Sequence, residues 1–436
     1  MSAAAVRYDV RPGGALAGTI RVPGDKSISH RAVMLGALAQ GDTTVSGFLN
    51  GEDCLCTMKA FQAMGVHIEQ PDDTSLKVRG VGLHGLKAPS AELDLGNSGT
   101  SMRLMAGLMS GQKFATTLVG DESLSRRPMK RIIDPLSQMG ANIESVEGHA
   151  PLRIAPSSGL KGIRYVSKVA SAQVKSGVLL AGLYASGRTE VTEPQASRDH
   201  TERMLRAFGV ELEAGPGRAA LRGGQQLKGT AIEVPADISS ATFFMVGAAI
   251  APGSDVTLTD VGMNPTRTGI LEILRRMGAD IAVSRERQFG AEPVADIRVR
   301  GRPLRGIAID RELVAAAIDE FPAVFIAAAC AEGVTEVTGA EELRVKESDR
   351  IQTMCEGLWA LGIASQPRPD GASIGGGRLR GGRVDSKGDH RVAMSFAMAG
   401  LRAEQPITIL DCANVNTSFP GFAALAAGAG LEIRVS

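Results

Sequence analysis

Residues 25–47 read DKSISHRAVMLGALAQGDTTVSG, in which a polar and positively charged start leads into an apolar segment, a glycine and a β-rich run. The apolar segment is hydrophobic nearly all round, so a helix formed there must be buried. Lys26, His30 and Arg31 lie at its start, where unpaired backbone N–H groups and the helix dipole favour anions. The stretch therefore predicts a buried helix with an anion site at its N-terminus.

The same pattern of polar start, apolar helix, glycine and β-rich run occurs six times along the chain. The copies begin at Asp25, Gly96, Ala170, Asp237, Asp319 and Gly388. A second helical segment follows each copy and ends at a glycine, the residue that commonly stops a helix. These glycines recur about every 70 residues, a longer unit than that of helical solenoids. Six such units predict two domains of three units, each enclosing its apolar helices within walls of sheet.

Two similar crossings indicate where the domains meet. RVPGDKSISH from Arg21 and EVPADISSAT from Glu233 both read as a strand, Val-Pro, a small residue, Asp and the start of an apolar helix. We therefore expect a double hinge near residues 22–25 and 236–240. The expected domains are residues 24–238, and residues 1–23 together with 239–436. The active site is then expected in the cleft between the two domains.

The composition is that of a globular protein with more than one core. The chain has 436 residues, of which 44% are hydrophobic and 22% charged. Lys and Arg exceed Asp and Glu by one, and only 4% of residues are aromatic, so we expect no nucleic acid and no membrane as partner. Five scattered cysteines favour reduced thiols, and no apolar run is long enough to span a bilayer. We expect a soluble, cytoplasmic monomer.

Charged and polar residues mark five of the six helix starts. They are Lys26, Ser27, His30 and Arg31 in the first, Arg103 in the second, Ser171, Gln173 and Lys175 in the third, Asp319 and Glu320 in the fifth, and Lys387, His390 and Arg391 in the sixth. The fourth start, DISSATFF, is interpreted as only a cap and a core helix. One such start is usually a capped helix near a solvated cation. Five, brought to one end of each domain by the repeat, predict a site for small, multiply anionic substrates.

Further charged segments precede second helices. They are DESLSRRPMKR from Asp121, SRDHTERML from Ser197 and EELRVKESDRI from Glu341. The chain lacks a Walker-type phosphate loop, a dinucleotide-binding glycine motif, H-E-x-x-H and paired C-x-x-C motifs. We therefore expect no cofactor and no metal. Acid–base catalysis by carboxylate, lysine or histidine is expected instead, with cations that bind the charge of the substrate.

Eight motifs together resemble one family of enolpyruvyl transferases, the 5-enolpyruvylshikimate-3-phosphate (EPSP) synthases. They are GDKSISHR, GNSGTSMRLM, RRPM, SAQVKS, SRDHTE, DEFP, LRVKESDR and DHRVAMS, and the resemblance extends from Gly24 to TSFPGF near residue 420. It implies an α/β (α+β) fold of two inside-out α/β barrels with three repeats each, in agreement with the count of six. It also implies transfer of the enolpyruvyl group of phosphoenolpyruvate to the 5-hydroxyl of shikimate 3-phosphate, through a tetrahedral intermediate, in aromatic amino acid biosynthesis.

The resemblance also implies the residues of the site. Shikimate 3-phosphate would be bound by Lys26, Ser27, Arg31, Ser171, Ala172, Gln173, Ser197, Asp319 and Lys346. Phosphoenolpyruvate would be bound by Lys26, Gly99, Arg103, Arg127, Gln173, Glu347, Arg350, His390 and Arg391. The catalytic residues would be Asp319, Glu347 and Lys26. Asp319 can accept the hydroxyl proton, and either Glu347 or Lys26 can deliver a proton to carbon; the sequence leaves that choice open.

Two positions depart from one branch of this family. Thr417 stands where that branch has lysine, and Leu104 stands where it has proline. Both departures place the chain in another branch. They leave open how it responds to inhibitors that mimic phosphoenolpyruvate.

The sequence argues against three other functions. Transferases that act on UDP-N-acetylglucosamine usually carry Lys-Asn near the N-terminus and a loop cysteine, whereas Ser27 follows Lys26 here and the loop VGDESLSRRPM has no cysteine. RNA 3′-phosphate cyclases need a nucleotide-binding histidine and a basic surface, and neither is apparent. A non-catalytic anion-binding repeat protein predicts carboxylates placed at random, whereas Asp319 and Glu347 lie among the cations.

Overall fold

The computed structural model describes residues 6–436, which form two compact units with separate hydrophobic cores. The first unit consists of Gly24–Val234 and Phe289–Glu292, and the second of the described residues up to Pro23, Pro235–Gln288 and Pro293–Ser436. Within the described residues, no helix has both the length and the apolar character that crossing a membrane requires.

The second crossing between the units differs from its prediction by a few residues. The sequence placed it after residue 238, whereas Pro235 already belongs to the second unit. The backbone explains the difference, since the Asp237 N–H donates to the Pro23 carbonyl oxygen at 2.9 Å within that unit. Because Asp237, the N-cap of the helix Ile238–Ile250, is anchored in this way, the residues from Pro235 onward belong to the second unit.

The turn Phe289–Glu292 belongs to the first unit, which the sequence did not predict. His200 Nδ1 lies 2.8 Å from Glu292 Oε1, and both side chains are buried. Arg203 also donates to the Ala291 carbonyl oxygen at 2.8 Å. These contacts depend on side chains about 90 residues apart, so no local pattern could reveal them.

The helices of both units are numbered in chain order. They are α1 (Lys26–Leu38), α2 (Glu52–Ala63), α3 (Gly99–Met109), α4 (Glu122–Ser125), α5 (Lys130–Gln138), α6 (Ala172–Gly182), α7 (His200–Ala207), α8 (Ile238–Ile250), α9 (Gly269–Arg276), α10 (Arg311–Ala317), α11 (Phe321–Ala329), α12 (Arg350–Ala360), α13 (His390–Ala399) and α14 (Phe422–Ala429). Short 3-10 helices cover Ile318–Glu320, Glu341–Val345, Gly400–Arg402 and Ala413–Thr417. The predicted apolar helices are α1, α3 and α6 in the first unit and α8, α11 and α13 in the second.

The strands of residues 6–436 are short and fall into six sheets. They are β1 (Tyr8–Val10), β2 (Ala17–Ile20), β3 (Ala39–Ser46), β4 (His67–Asp72), β5 (Ser75–Val81), β6 (Leu93–Asp94), β7 (Thr116–Val119), β8 (Ile143–Val146), β9 (His149–Ile154), β10 (Arg164–Val166), β11 (Arg188–Thr192), β12 (Leu212–Gly215), β13 (Arg218–Arg222), β14 (Leu227–Lys228), β15 (Ala231–Glu233), β16 (Asp255–Gly262), β17 (Asp280–Phe289), β18 (Glu292–Arg300), β19 (Ala308–Ile309), β20 (Val334–Val337), β21 (Ser365–Arg368), β22 (Gly371–Gly375), β23 (Gly382–Asp385), β24 (Ile407–Leu410) and β25 (Ile433–Val435).

Each unit contains three of the six sheets. In the first unit the strand orders are β14-β3-β5-β4 with β15 also on β3, β6-β7-β9-β8, and β10-β11-β13-β12. In the second unit they are β17-β18-β16-β2, β19-β20-β22-β21, and β23-β24-β1-β25. Every sheet combines a parallel pair, such as β6 with β7, and an antiparallel neighbour, such as β7 with β9. This repetition confirms the predicted α/β fold of six units.

The apolar helices form the centre of each core, as their sequences predict. Every residue of α8 is buried. In the first unit, α3 and α6 approach so closely that a Cβ atom on Gly107 would lie 2.0 Å from the Gly177 carbonyl oxygen. Glycine is required there because a larger residue would force the helices apart. This contact fixes the start of α3 relative to the start of α6, where predicted site residues lie.

Candidate active site

Lys26, at the start of α1, is held by a carboxylate from α2. Its Nζ lies 2.6 Å from Asp53 Oδ2, and the two side chains are 19% and 4% exposed. Asp25 caps the helix, and its Oδ1 accepts from the Ile28 N–H at 2.9 Å. The ammonium group of Lys26 therefore has a fixed position at the surface of a helix N-terminus. The sequence did not single out Asp53 as its partner.

Arg31 lies one turn further along α1, and its guanidinium group faces the interior. Nε donates to Thr201 Oγ1 at 2.6 Å, Nη2 to Ser176 Oγ at 2.9 Å, and Nη1 to the Ser27 carbonyl oxygen at 2.8 Å. Burial lowers the pKa of Arg31 to about 10, and the carboxylate of Glu202 opposes that shift. Arg31 therefore joins α1 to α6 and α7. Its predicted contact with shikimate 3-phosphate stays a prediction.

His30 connects the start of α1 to the start of α3. Its Nδ1 lies 2.8 Å from Thr57 Oγ1, and its Nε2 lies 3.3 Å from the hydroxyl of Ser98, which caps α3. The ring is fully buried. Burial first, and then the charges of Lys26 and Arg31, hold the pKa of His30 well below its usual value. His30 is thus a neutral, positioning group in the folded protein.

A neutral buried histidine makes stability depend on pH. The unfolded chain binds a proton on His30 near pH 6.5 but the folded protein does not, so stability is present above that pH and is lost as the pH falls below it. Between pH 6.5 and 5.5, we expect the unaltered protein to lose about 1 kcal/mol more free energy of unfolding than His30→Gln. Urea titrations of both proteins across this range measure the difference. Equal losses would contradict the assignment.

Two arginines of the first unit meet beside Gly99. A Cβ atom on Gly99 would lie 2.7 Å from Arg103 Nη1 and 3.2 Å from Arg127 Nη1. Arg127 also donates to Asn97 Oδ1 at 2.5 Å, which holds its guanidinium group over the start of α3. Cations and helix N–H groups at one point suit a carboxylate or a phosphate. The structure therefore brings together Gly99, Arg103 and Arg127, as predicted from the sequence.

Gln173 joins this cluster from the start of α6. Arg103 Nη1 donates to Gln173 Oε1 at 2.7 Å, and Gln173 Nε2 donates to Thr100 Oγ1 at 3.0 Å. Ala172 is the first residue of α6 and lies beside it. The starts of α3 and α6 therefore form one continuous polar surface.

Ser171 and Ser197 contact a single buried carboxylate. The Ser171 N–H donates to Glu193 Oε1 at 2.7 Å, and the Ser197 hydroxyl donates to Glu193 Oε2 at 2.7 Å. The Ser171 side chain caps α6 by accepting from the Val174 N–H. Sequence reasoning predicted both serines but missed Glu193. In the sequence, Glu193 is recognisable only as a charged residue between β11 and the segment that contains Ser197.

Adding a methyl group at Gly99 tests the arginine cluster. In Gly99→Ala the Cβ must displace the Arg103 guanidinium group, which is the end of a flexible side chain, so the fold is retained. We expect KM for phosphoenolpyruvate to rise about tenfold, the cost of one weakened charge-assisted hydrogen bond. Gly428→Ala adds the same methyl group within α14, where nothing lies near it, and serves as the control. A KM equal to that of the control would contradict the predicted role of Gly99.

In the second unit, Arg350 lies at the centre of a group of carboxylates. It is 1% exposed, and its Nη2 lies 2.7 Å from Glu347 Oε2 while its Nε lies 2.8 Å from Asp389 Oδ2. Nη1 lies 3.5 Å from Asp319 Oδ1. Burial lowers the pKa of Arg350, but Asp389, Glu347 and Asp319 outweigh it and the pKa is raised. Arg350 therefore fixes the two acidic residues that were predicted to be catalytic.

Asp319 has further cationic contacts in the same unit. Lys346 Nζ lies 3.1 Å from Asp319 Oδ1, and Arg391 Nη1 donates to the Asp319 carbonyl oxygen at 3.0 Å. The Asp319 side chain is 14% exposed, so a ligand can reach it. Asp389 caps α13 by accepting from the Arg391 N–H at 2.9 Å, next to the buried His390. All the predicted site residues of the second unit therefore lie in one cluster.

The interpretation of the fourth helix start is wrong. Arg267 is buried, and its Nη2 donates to Asp237 Oδ1 at 3.1 Å and to Ser239 Oγ at 2.6 Å. The Ser239 hydroxyl also donates to Glu320. This start is as charged as the others, but its arginine comes from a segment 30 residues later in the chain. The start alone therefore could not reveal the arginine.

The two departures from the other branch of the family are buried. Thr417 Oγ1 donates to the Asn414 carbonyl oxygen at 2.7 Å. Because threonine is neutral, this position supplies no cation. Leu104 lies in the core on α3. No group of three His, Cys, Asp or Glu side chains suited to a metal ion occurs within residues 6–436.

Comparison with known proteins identifies the family. Residues 10–425 match the family model of EPSP synthase (3-phosphoshikimate 1-carboxyvinyltransferase). Curated relatives named 3-phosphoshikimate 1-carboxyvinyltransferase include one from Methylococcus capsulatus, 64% identical with 99% of each chain covered, and one from Alkalilimnicola ehrlichii, 63% identical with 98% of this chain and 96% of the relative covered. A solved EPSP synthase from Acinetobacter baumannii is 55% identical, with a TM-score of 0.88 over 99% of this chain and 100% of that chain.

These matches confirm the resemblance inferred from the eight motifs, and with it the fold. They also confirm the predicted reaction, enolpyruvyl transfer from phosphoenolpyruvate to shikimate 3-phosphate in the shikimate pathway of aromatic amino acid biosynthesis. The names of the family and of these relatives do not support the three alternative functions, which involve other substrates or no catalysis. The chain therefore belongs to the EPSP synthase family of enolpyruvyl transferases.

Proposed function

We propose that the clusters of the two units bind the same pair of substrates and divide the chemistry between them. The first unit supplies Lys26, Ser27, Arg31, Gly99, Arg103, Arg127, Ser171, Ala172, Gln173 and Ser197. The second unit supplies Asp319, Lys346, Glu347, Arg350, His390 and Arg391. Most residues of the first unit in this site are cations or carry hydroxyl groups. The two carboxylates proposed to carry protons, Asp319 and Glu347, are both in the second unit. This division supports a site that binds anions with one unit and moves protons with the other.

The start of α3 is proposed to bind phosphoenolpyruvate. Arg103 and Arg127 approach Gly99 closely enough that one small anion can contact both guanidinium groups. Bidentate arginine contacts fix carboxylates and phosphates in orientation as well as in position. Gln173, held by Arg103, lies where it can contact either substrate.

The start of α6 is proposed to bind the phosphate ester of shikimate 3-phosphate. Ser171 and Ser197 offer two hydroxyl groups beside the N-terminus of an eleven-residue helix, and Lys26 offers a cation in the same unit. Hydroxyl groups and helix N–H groups together are suited to phosphate oxygens.

Asp319 is proposed to be the general base, and its contacts carry this proposal. Lys346 and Arg350 fix Oδ1 while the side chain stays partly accessible, so the carboxylate is held in one orientation that a hydroxyl can approach. As Asp319 takes the proton of the 5-hydroxyl, that oxygen forms a bond to C2 of phosphoenolpyruvate and a proton adds to C3. The product of this step is a tetrahedral intermediate that still carries the phosphate.

The second step reverses the proton movement at carbon. The new methyl group loses a proton, the C2–C3 double bond re-forms, and the bond from C2 to the phosphate oxygen breaks with release of phosphate. Glu347 and Lys26 both remain candidates for the group that exchanges the proton with C3. Incorporation of solvent deuterium at C3 distinguishes them, because Glu347→Gln and Lys26→Met each remove one candidate. We propose no metal or cofactor for either step.

Phosphate release from purified protein tests the reaction. With phosphoenolpyruvate, we expect release with shikimate 3-phosphate and none with UDP-N-acetylglucosamine, and mass spectrometry should identify the enolpyruvyl ether of shikimate 3-phosphate. Release with the sugar nucleotide alone would contradict the assignment. The monomeric state and the cytoplasmic location stay predictions; light scattering of the purified protein measures the first.

A further inference from the structure

Glu193 follows β11, and its carboxylate is buried beneath the proposed phosphate site. The side chain is 1% exposed. Oε1 accepts from the Ser171 N–H at 2.7 Å and from the Ser197 hydroxyl at 2.9 Å, and Oε2 accepts from the same hydroxyl at 2.7 Å. One carboxylate thus fixes two residues from different segments of the chain, one before α6 and one before α7.

Lys175, within α6, is shared between two buried carboxylates, Glu193 and Glu202. Its Nζ lies 3.1 Å from Glu193 Oε2 and 2.9 Å from Glu202 Oε1, and it donates to the Ser197 carbonyl oxygen at 3.3 Å. Burial lowers the pKa of Lys175, but Glu202 and Glu193 outweigh it and the pKa is raised. Lysine and both carboxylates therefore form a charged group beneath Ser197, away from solvent.

Burying a charged group of this kind lowers the free energy of unfolding unless its contacts offset the loss of hydration. Removing charges from water costs several kcal/mol per ion, and an apolar group of the same shape is often as stable. A carboxylate has one property that an apolar group lacks, because it only accepts hydrogen bonds. It therefore fixes the positions of the Ser171 backbone and of the Ser197 oxygen before a ligand arrives. Groups held in position in advance bind more tightly because less freedom is lost on binding.

We propose that Glu193, ion-paired with Lys175, is a positioning residue that presents Ser171 and Ser197 to the phosphate ester of shikimate 3-phosphate. This inference rests on the proposed assignment of the two serines to that substrate. On binding, the Ser197 oxygen stays in place while its hydrogen turns from Glu193 to a phosphate oxygen. Lys175 then remains as the ion-pair partner that holds Glu193 in place.

Glu193→Gln tests this role because glutamine keeps the shape and one acceptor oxygen but loses the charge. We expect the Kd for shikimate 3-phosphate alone, measured by calorimetry, to rise about tenfold, and KM for phosphoenolpyruvate to change by less than about twofold. Glu190→Gln is the matched control, since Glu190 is on β11 and pairs with Arg218 away from the serines. It should leave both constants unchanged.

A double-mutant cycle separates positioning from a general loss of structure. If Glu193 acts through Ser197, Glu193→Gln should weaken shikimate 3-phosphate binding less in a Ser197→Ala background than in the unaltered protein. Equal effects in both backgrounds, or an unchanged Kd in Glu193→Gln, would overturn the inference. If Glu193→Gln does not fold, Glu193→Asp keeps the charge but shortens the reach, and should weaken binding in the same selective way. Failure of the unaltered protein to bind shikimate 3-phosphate would instead count against the proposed function.

Discussion

Asp319→Asn is expected to lower kcat for phosphate release by about a thousandfold, the usual contribution of a general base. Asparagine has nearly the same shape as aspartate but cannot accept the proton of the attacking hydroxyl. The contacts of Oδ1 with Lys346 and Arg350 keep the side chain in place, so KM for either substrate should change much less than kcat. Steady-state phosphate release with phosphoenolpyruvate and shikimate 3-phosphate measures both constants.

A surface carboxylate from the preceding helix is the control for this substitution. Glu312 is exposed in the first turn of α10, outside the cluster around Arg350. Glu312→Gln should leave kcat and KM unchanged. Asp319→Ala should also fold and bind both substrates while losing turnover. Turnover of either Asp319 variant close to that of the unaltered protein would remove Asp319 from the role of base.

The fold was largely predictable because each repeat unit can be recognised from a short stretch of sequence. An apolar helix with no polar face must be buried wherever it occurs, and six of them at regular intervals fix the number of units. The described residues up to Pro23 lie in the second unit. The pattern did not contain the turn Phe289–Glu292, whose place in the first unit depends on contacts with His200 and Arg203.

The site was predictable where side chains lie at helix starts, and less so where they are held from elsewhere. Lys26 could be identified from its motif, but Asp53 could not, because their contact depends on how α1 packs against α2. Glu193 and Arg267 were missed for the same reason. In each case the supporting charge is buried, and at least one of its partners is more than twenty residues away in the chain. The groups proposed to contact substrate can be identified from local sequence, whereas the packing of the helices decides which groups position them.

The burial of Arg350 illustrates what this positioning achieves. Three carboxylates surround one guanidinium group, and its buried Nη1 has the 3.5 Å ion pair with Asp319 but no hydrogen bond among the described residues. A buried N–H group that has no hydrogen-bond acceptor destabilises the protein, unless a ligand supplies the acceptor. The structure thus supports the predicted contact of Arg350 with phosphoenolpyruvate, in addition to its role in fixing Glu347 and Asp319.

Lys26→Met is expected to abolish measurable turnover, with kcat reduced by about a thousandfold or more. The substitution removes a cation that is proposed to contact both substrates and one of the two candidate proton carriers. It also takes from Asp53 the ammonium group that lies 2.6 Å away. Because Asp53 is almost fully buried, loss of this partner should lower stability as well, so activity alone cannot separate the two effects.

The double variant Lys26→Met/Asp53→Asn separates loss of function from loss of stability. Neutral asparagine no longer needs a cation, so the melting temperature should recover most of what Lys26→Met alone loses, while turnover stays absent. Lys77→Met removes a lysine that pairs with Asp42 at the surface of the same unit and should leave both properties unchanged. Recovery of turnover along with stability in the double variant would show that Lys26 acts only by supporting the fold. Absent turnover in a fully stable protein would place its ammonium group in the chemistry itself.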